Sequence, residues 1–144
     1  MEKCSILNGS AVNDGGGVYV GDAGTLVMNE CLLEGNSAEL GGGVFNDGVA
    51  EIRGCTFRSN EGREDGGGLY SRGNEIIRDC LFVGNNAREE GGGLWMRRDT
   101  YLEGCTIVEN EAEDGGGIYC QEDLDMNYCT IVRNVATETE RTSS

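Results

Sequence analysis

The chain of 144 residues contains no histidine, no proline and one lysine, Lys3. The absence of histidine removes the commonest general base and the commonest transition-metal ligand. Acidic residues outnumber basic ones by 26 to 11, which gives a formal net charge of −15. Because phosphate binding needs a basic face, this charge argues against a nucleic-acid or anionic-membrane partner.

Long apolar runs are also missing. No stretch approaches the roughly 20 residues of a membrane span, so this segment is not expected to insert into a membrane. The first residues, Met1–Cys4, are not the opening of a secretory signal peptide. The 25 glycines follow no Gly-X-Y period, which excludes collagen.

What the sequence does contain is a cassette of about 25 residues that recurs along the whole chain and is clearest at Cys80–Tyr101. Each copy has a cysteine and an asparagine five places later (Gly9 is the exception), and every copy except the last, at Cys129, continues into a glycine triplet. The cysteines are Cys4, Cys31, Cys55, Cys80, Cys105 and Cys129. The triplets begin at Gly15, Gly41, Gly66, Gly91 and Gly115.

The apolar residues of the cassette have strand periodicity. An apolar residue two places after each cysteine puts both side chains on one face of a strand. A second short strand follows each triplet, as at Leu94-Trp95, and a third runs toward the next cysteine. The sequence therefore predicts an all-β fold, a parallel β-solenoid of about five coils with three short strands per coil.

Each repeated residue has an expected structural role in such a stack. The cysteines suit a buried and mainly reduced column of small apolar side chains, with Cys120 outside it. The asparagines are expected at corners, with left-handed backbone angles and stacked amides. The glycines are expected to allow positive φ and close approach of neighbouring backbones.

The predicted domain covers residues 1–136, and residues 137–144 are predicted to be a polar tail. Met1 is in register with the residues three places before the other cysteines, so the chain starts inside a coil. Neither end carries an amphipathic cap. We therefore expect a segment of a longer solenoid, or one with an end-to-end or capping partner.

Two short motifs carry a family resemblance. Phe57-Arg58-Ser59-Asn60 and Phe82-Val83-Gly84-Asn85 have the form F-x-x-N, and every glycine triplet is followed by Val, Leu or Ile. The pattern resembles right-handed parallel β-helix proteins, most closely the repeats of polymorphic outer-membrane proteins, whose second motif is G-G-A-[ILV]. The third glycine departs from that Ala. The resemblance implies an adhesin or autotransporter passenger, extracellular or at the cell surface.

The acidic pair before each triplet is a candidate cation site. In a stacked coil these carboxylates form a stripe that Ca²⁺ could bridge through oxygen ligands. The alternative is a solvated turn that keeps the protein soluble. No other cofactor is expected. The candidate calcium ligands are Asp14, Glu39, Glu64, Asp65, Glu89, Glu90, Glu113 and Asp114.

The aromatic residue after each triplet forms another column. If these rings face outward, they offer a stacking platform for sugar rings or a docking strip for a protein. If they face inward, they belong to the core, and the outward orientation is slightly favoured. The candidate ligand-binding residues are Tyr19, Phe45, Tyr70, Trp95 and Tyr119.

The sequence thus predicts a non-enzymatic structural and binding module that presents columns of side chains to a glycan or a protein. No catalytic residues are assigned. The alternative is a fragment of a pectate-lyase-like polysaccharide lyase or glycoside hydrolase, because the same coil occurs in such enzymes. Carboxylates are plentiful, and a basic strip is available at Arg53, Arg78 and Arg97-Arg98, but regular coils leave no insertion to wall a cleft.

Overall fold

The computed structural model describes residues 1–137, and in these residues the chain forms 21 short β-strands and no helix. Each complete coil after the first passes through four strands, and each strand pairs in parallel with its equivalents in the adjacent coils. The fold is a parallel β-helix of about five coils, as the repeat predicts. This part of the chain has no long apolar helix of the kind that crosses a membrane. The predicted polar tail lies outside the described residues except for Thr137.

Four sheets run along the helix axis. The first sheet contains β1 Ser5–Leu7, β4 Leu32–Glu34, β8 Thr56–Arg58, β12 Leu81–Val83, β16 Thr106–Val108 and β20 Thr130–Val132. The second contains β5 Ser37–Leu40, β9 Glu61–Asp65, β13 Asn86–Ala87, β17 Glu111–Ala112 and β21 Val135–Ala136. The third contains β2 Val18–Val20, β6 Val44–Asn46, β10 Leu69–Ser71, β14 Leu94–Met96 and β18 Ile118–Cys120. The fourth contains β3 Thr25–Asn29, β7 Val49–Arg53, β11 Asn74–Arg78, β15 Thr100–Glu103 and β19 Leu124–Asn127.

The prediction of three strands per coil is wrong in number, because the second sheet adds a fourth. Its strands follow the asparagine corner and can be as short as Asn86–Ala87. A strand of two residues shows no alternation in the sequence, so the apolar pattern could not reveal it. The small residue of this strand, such as Ala87, turns inward and is buried.

Equivalent repeat positions face each other across neighbouring coils. Phe57 pairs with Phe82, and Leu69 pairs with Leu94. Each repeat position therefore forms a column along the axis, with about 4.8 Å between neighbouring strands. The rings of Phe57 and Phe82 are stacked with their centroids 4.5 Å apart.

The corners need left-handed backbone angles, but not at the residue that the sequence suggested. The residue before the corner asparagine takes the positive φ, as at Ser59 (52°) and Gly84 (65°). The first glycine of each triplet also has a positive φ, for example 69° at Gly91, as predicted. The asparagine side chain is therefore free to hydrogen-bond across the coils instead of setting the turn.

The core is built from inward-facing columns of three sheets. The first sheet contributes one column and the third and fourth sheets contribute two each, and buried cysteines fill the corner between the fourth and first sheets. The buried members include Leu33, Phe57, Phe82, Ile107, Val44, Leu69, Leu94, Met28, Ile52, Ile77, Leu102, Cys31, Cys55, Cys80 and Cys105. Burying each large apolar side chain stabilises the fold by about 1.5–3 kcal/mol.

Burial depends on having a coil on both sides. Ile107 is fully buried, whereas Ile131 at the same repeat position in the last described coil is 43% exposed. The inward direction of both side chains is the same, so the difference comes from stacking. The stability of this fold is therefore set largely by contacts between neighbouring coils.

Candidate functional site

The five aromatic candidates form one column on the outer face of the third sheet. Their strand neighbours belong to the main core, whereas the rings form a separate cluster on the opposite face. The ring centroids are 5.2, 5.4, 4.2 and 6.1 Å apart in chain order, and neighbouring planes differ by 5–11°. The column contains Tyr19, Phe45, Tyr70, Trp95 and Tyr119.

Most of this column is covered although it faces away from the core. Phe45 is fully buried, and Leu40 packs against the cluster. The guanidinium of Arg72 lies 5.1 Å from the ring centroid of Phe45. The central rings have both faces covered by neighbouring rings, whereas Tyr19 is 59% exposed. The column therefore contributes mainly to coil stacking, and its role in ligand binding stays a prediction.

The acidic residues before the triplets also lie in register. Glu90 pairs with Asp114, and Asp65 pairs with Leu40, which interrupts the column of carboxylates. The indole N–H of Trp95 donates a hydrogen bond to Oε2 of Glu90 at 2.9 Å and so joins the acidic and aromatic columns. The first acids of the pairs are half-buried or exposed at the same edge: Glu39, Glu64, Glu89 and Glu113.

Burial changes the protonation of two carboxyl groups in this region. It raises the pKa of Asp65 to about 6, although a hydrogen bond from the backbone N–H of Glu90 opposes the shift. Burial also raises the pKa of Asp14. Among residues 1–137, no group of three or more Asp, Glu or Cys side chains is arranged to hold a metal ion. Calcium binding by the stripe stays a prediction.

A groove of about 530 Å³ lies on the outer face of the fourth sheet, near the C-terminal coils. Sequence reasoning missed it, although the repeat alignment contains a signal. The position six before the cysteine changes from Thr25 and Val49 to Asn74 and then to two aspartates. The lining of the groove includes Asn74, Ile76, Asp99, Tyr101, Asp123 and Asp125.

Tyr101 is the aromatic group of the groove, and its position is fixed by charged neighbours. Its hydroxyl donates a hydrogen bond to Oε2 of Glu103, and this bond raises the pKa of Tyr101. The guanidinium of Arg78 lies 5.5 Å from the Tyr101 ring centroid and 3.8 Å from Oε1 of Glu103. The ring of Tyr101 therefore contacts the Arg78 guanidinium, lies in register with Ile76 of the neighbouring strand and lines the groove.

Arginines on the fourth sheet do not form the basic strip considered for an acidic sugar. Arg53 and Arg78 are neighbours in register, but the next position of that column is Glu103. Arg53 pairs with Glu51 at 3.5 Å, and Arg78 pairs with Glu103. Arg97-Arg98 lies at the corner before β15, away from that column. The structure supports a charged outer face on which arginines pair with carboxylates.

A buried polar cluster lies inside the coils directly beneath the groove. Glu75 is only 3% exposed, and it occupies a column whose other members include Ala50 and Leu124. Its carboxyl group accepts hydrogen bonds from Asn46 Nδ2 at 3.2 Å and from the Thr100 hydroxyl at 2.9 Å. Burial raises the pKa of Glu75 to about 7, against the effect of these two bonds.

The cysteines form the predicted column, and four of its members are buried. All seven cysteines are free, and Cys31, Cys55, Cys80 and Cys105 are buried, whereas Cys4 is exposed. The thiols interact with the next coil through weak hydrogen bonds from the backbone, such as Cys55 N–H to Cys80 Sγ at 3.4 Å. This arrangement is that of a structural column rather than a reactive site.

Comparison with known proteins agrees with this architecture. No curated protein and no solved structure matches the chain. The family model described as the right-handed β-helix region matches residues 1–142, which is nearly the whole chain. On the strength of that match and of the stacked parallel coils, this protein belongs to the right-handed β-helix family.

Proposed function

We propose that this protein is a non-enzymatic binding module that presents the groove of the fourth sheet to a glycan. The observation that carries the proposal is the groove itself, in which Tyr101 and Ile76 offer apolar surface beside the carboxylates of Asp99, Asp123 and Asp125. Sugars are bound in this way in general, with an apolar ring face against an aromatic group and hydroxyl groups donating to carboxylates.

The charge of the groove favours a neutral glycan. Within residues 1–137, its lining contains carboxylates and the amide of Asn74 but no Lys or Arg side chain. An acidic polysaccharide would bring its carboxylates next to those of the protein, and such like-charge contacts cost binding energy. A neutral chain of sugars meets no such repulsion.

The arrangement of the carboxylates supports binding rather than hydrolysis. Glycosidases place two carboxyl groups on opposite sides of the scissile bond. Asp99 and Asp123 instead occupy the same position in adjacent coils, because Thr100 pairs with Leu124. Both side chains therefore approach a bound sugar from the same side.

The setting we propose is extracellular or at the cell surface, as in the passenger and adhesin repeats of polymorphic outer-membrane proteins. Support comes from the F-x-x-N motifs and from the stacked coils, whose repeated side chains are used in contacts between neighbouring coils. In that setting the coils hold the groove at a fixed distance from the rest of a longer protein, and a protein surface is the alternative ligand.

The test is retention of the purified chain on a panel of immobilised neutral and acidic polysaccharides. We expect selective retention by a neutral polymer, and its loss in Tyr101→Ala and Asp99→Asn. Tyr19→Ala is the matched control, since Tyr19 is an exposed aromatic residue outside the groove. Retention that depends on Tyr19 but not on Tyr101 would move the binding site to the aromatic column.

Two further arms separate the alternatives. Running the panel with calcium and with a chelator tests the carboxylate stripe, because only a cation-bridged site loses retention in chelator. Depolymerisation of a retained polymer would support a polysaccharide lyase or glycoside hydrolase instead. Absence of retention across the whole panel would refute the glycan proposal.

A further inference from the structure

The buried carboxyl group of Glu75 lies between the core and the groove. Its own strand, β11, contributes Asn74 and Ile76 to the groove, and Thr100 begins the neighbouring strand that contributes Tyr101. Among residues 1–137, Glu75 has no ion-pair partner, and its hydrogen-bond partners are the amide of Asn46 and the hydroxyl of Thr100. A buried carboxylate without a counter-charge is costly, so the protonation state of this group affects the structure around it.

The hydroxyl of Thr100 has two acceptors within reach but a single proton. Its Oγ1 lies 2.9 Å from Oε2 of Glu75 and 3.2 Å from the backbone oxygen of Arg98. If Glu75 is ionised, it can only accept, so the Thr100 proton is drawn to it. If Glu75 is protonated, its own O–H donates to Thr100, and the Thr100 proton is free for the Arg98 carbonyl.

We propose that Glu75 is a proton-operated latch for the groove, in which protonation completes a hydrogen-bond chain from Glu75 through Thr100 to the Arg98 carbonyl. Uptake of one proton from solvent adds one hydrogen bond to the corner that carries Asp99 and leads into Tyr101. Loss of that proton leaves the Arg98 carbonyl without this donor and loosens the rim of the groove. As regulation of the groove, this inference rests on the proposed function.

Asn46 holds the carboxyl group in the same place in both states. Its Nδ2 donates to Oε1 of Glu75 and to Oγ of Ser71, both at 3.2 Å. The backbone N–H groups of Gly48 and Gly73 donate to the side chains of Asn46 and Ser71. Because Oε1 accepts in either protonation state, the exchange of donor and acceptor is confined to the side facing Thr100.

Few other ionisable groups face Glu75. The thiol of Cys120 on β18 is close enough that Glu75 contributes to raising its pKa. The buried thiols Cys55, Cys80 and Cys105 lie beyond the C-terminal ends of the fourth-sheet strands, whereas Glu75 is near the start of its strand. The remaining charged or ionisable groups on β7, β11, β15 and the neighbouring corners point to the outer face, are exposed, or are half-buried as the Asp47–Arg72 ion pair at 3.1 Å: Asp47, Glu51, Arg53, Arg72, Arg78, Arg97, Arg98, Asp99, Tyr101, Glu103, Glu122 and Asp123.

Burial and the two hydrogen bonds, rather than a neighbouring charge, set the pKa of Glu75, which lies at about 7. The hydrogen-bond chain from Glu75 through Thr100 to the Arg98 carbonyl is therefore complete in mildly acidic solution. It is interrupted as the pH rises above neutral and Glu75 ionises.

The experiment measures backbone amide exchange over residues 97–103 without any ligand, corrected for the intrinsic pH dependence of exchange. In the wild-type chain we expect protection of this segment to fall by about tenfold between about pH 5.5 and about pH 8.5, the effect of losing one hydrogen bond. Glu75→Gln should keep its protection at both pH values, because the glutamine amide donates to Thr100 permanently.

Two substitutions of Thr100 test whether its hydroxyl group links Glu75 to the Arg98 carbonyl. Thr100→Ser keeps the hydroxyl group and should keep the pH-dependent protection. Thr100→Val keeps the shape of the side chain but removes its hydroxyl group. In this variant the amide protection of residues 97–103 should be low at both pH values. Glu75→Leu serves as a folding control. Leucine already occupies the same column position in other coils, at Leu26 and Leu124.

Equal pH dependence in the wild-type chain and in Glu75→Gln would overturn the latch, as would a carboxyl NMR signal showing Glu75 ionised at about pH 5.5. Neither readout involves a glycan. If the protection of residues 97–103 depends on pH as expected but the chain binds no polysaccharide, only the proposed function is refuted. Glycan binding with pH-independent protection would refute only the latch.

Discussion

The side-chain amide of Asn85 donates a hydrogen bond to Oδ1 of Asn110 in the next coil at 2.9 Å. It also donates to the backbone oxygen of Phe57 at 2.9 Å, while its own Oδ1 accepts from the backbone and side-chain N–H groups of Asn60. Four hydrogen bonds therefore converge on one fully buried side chain. Because the backbone turns at this corner, these bonds satisfy groups that a regular strand would pair.

Removing that side chain should be among the most damaging single changes. Asn85→Ala leaves buried donors and acceptors unpaired in two neighbouring coils, and we expect a loss of about 4 kcal/mol in the free energy of unfolding. Urea denaturation provides the measurement. The exposed Asn13 is the control, and Asn13→Ala should change stability by less than about 0.5 kcal/mol. Similar losses for the two variants would contradict the role of the asparagine column.

The middle glycine of each triplet should be irreplaceable for a steric reason. A Cβ atom at Gly92 would lie 2.3 Å from the carbonyl oxygen of Glu111 and 2.4 Å from that of Gly116. Both atoms belong to the backbone of the next coil and cannot move without separating the coils. We expect Gly92→Ala to destabilise the fold by about 3 kcal/mol or more in thermal or urea unfolding.

Gly21 is the matched control for Gly92. A Cβ atom there would meet a ring atom of Tyr19 at 3.7 Å, an ordinary contact. Gly21→Ala should therefore be neutral, or stabilising by up to about 1 kcal/mol through the unfolded state. If Gly92→Ala were equally well tolerated, the coils would not be packed as closely as the structure has them.

The raised pKa of Glu75 predicts that the fold loses stability as the pH rises. The folded state binds the Glu75 proton more tightly than the unfolded state, whose carboxyl has a pKa near 4.5. The stability contributed by protonated Glu75 is thus fully present below about pH 4.5 and is lost as the pH rises through about 7, by about 3 kcal/mol. The raised pKa of Asp65 also lowers the stability of the fold as the pH increases, over the range from its ordinary pKa to about pH 6.

Urea denaturation across this pH range separates Glu75 from the other acids. Glu75→Gln should match the wild-type chain near pH 4.5 and exceed its stability by about 3 kcal/mol near pH 8. The net charge of −15 also disfavours the compact state at high pH, but that effect is shared by both chains. A constant difference between the two chains at all pH values would show that Glu75 does not titrate in this range.

Thiol reactivity should divide the seven cysteines into two groups. Cys4 is exposed, and Cys120 and Cys129 are partly exposed, whereas the other four are buried and their column is closed to reagents. Burial also raises the pKa of Cys31, which lowers its thiolate fraction. In the folded chain a thiol reagent should modify at most three groups quickly, with Cys4 first. In urea all seven thiols should react. Rapid labelling of Cys55 or Cys80 without urea would contradict the closed column.

Much of the fold was predictable from the sequence because a β-helix repeats its contacts. Cys80 and Phe82, two places apart, specify a strand face, and the same pair one period earlier and later specifies what stacks on it. The column of asparagines was predictable for the same reason. The fourth strand was not, since Asn86–Ala87 is too short to leave an alternating pattern.

The sequence by itself determined the period, the columns and therefore the family, because each of these depends only on residues at a fixed spacing. The tertiary structure decided which columns are covered. Phe45 is buried because the rings of Tyr19 and Tyr70 and the guanidinium of Arg72 come from neighbouring coils, and Leu40 packs against the same cluster. The groove, and Glu75 beneath it, arise where the repeat changes its residues from coil to coil. Such sites depend on which unlike side chains the stacking brings together, and that is a property of packing in three dimensions.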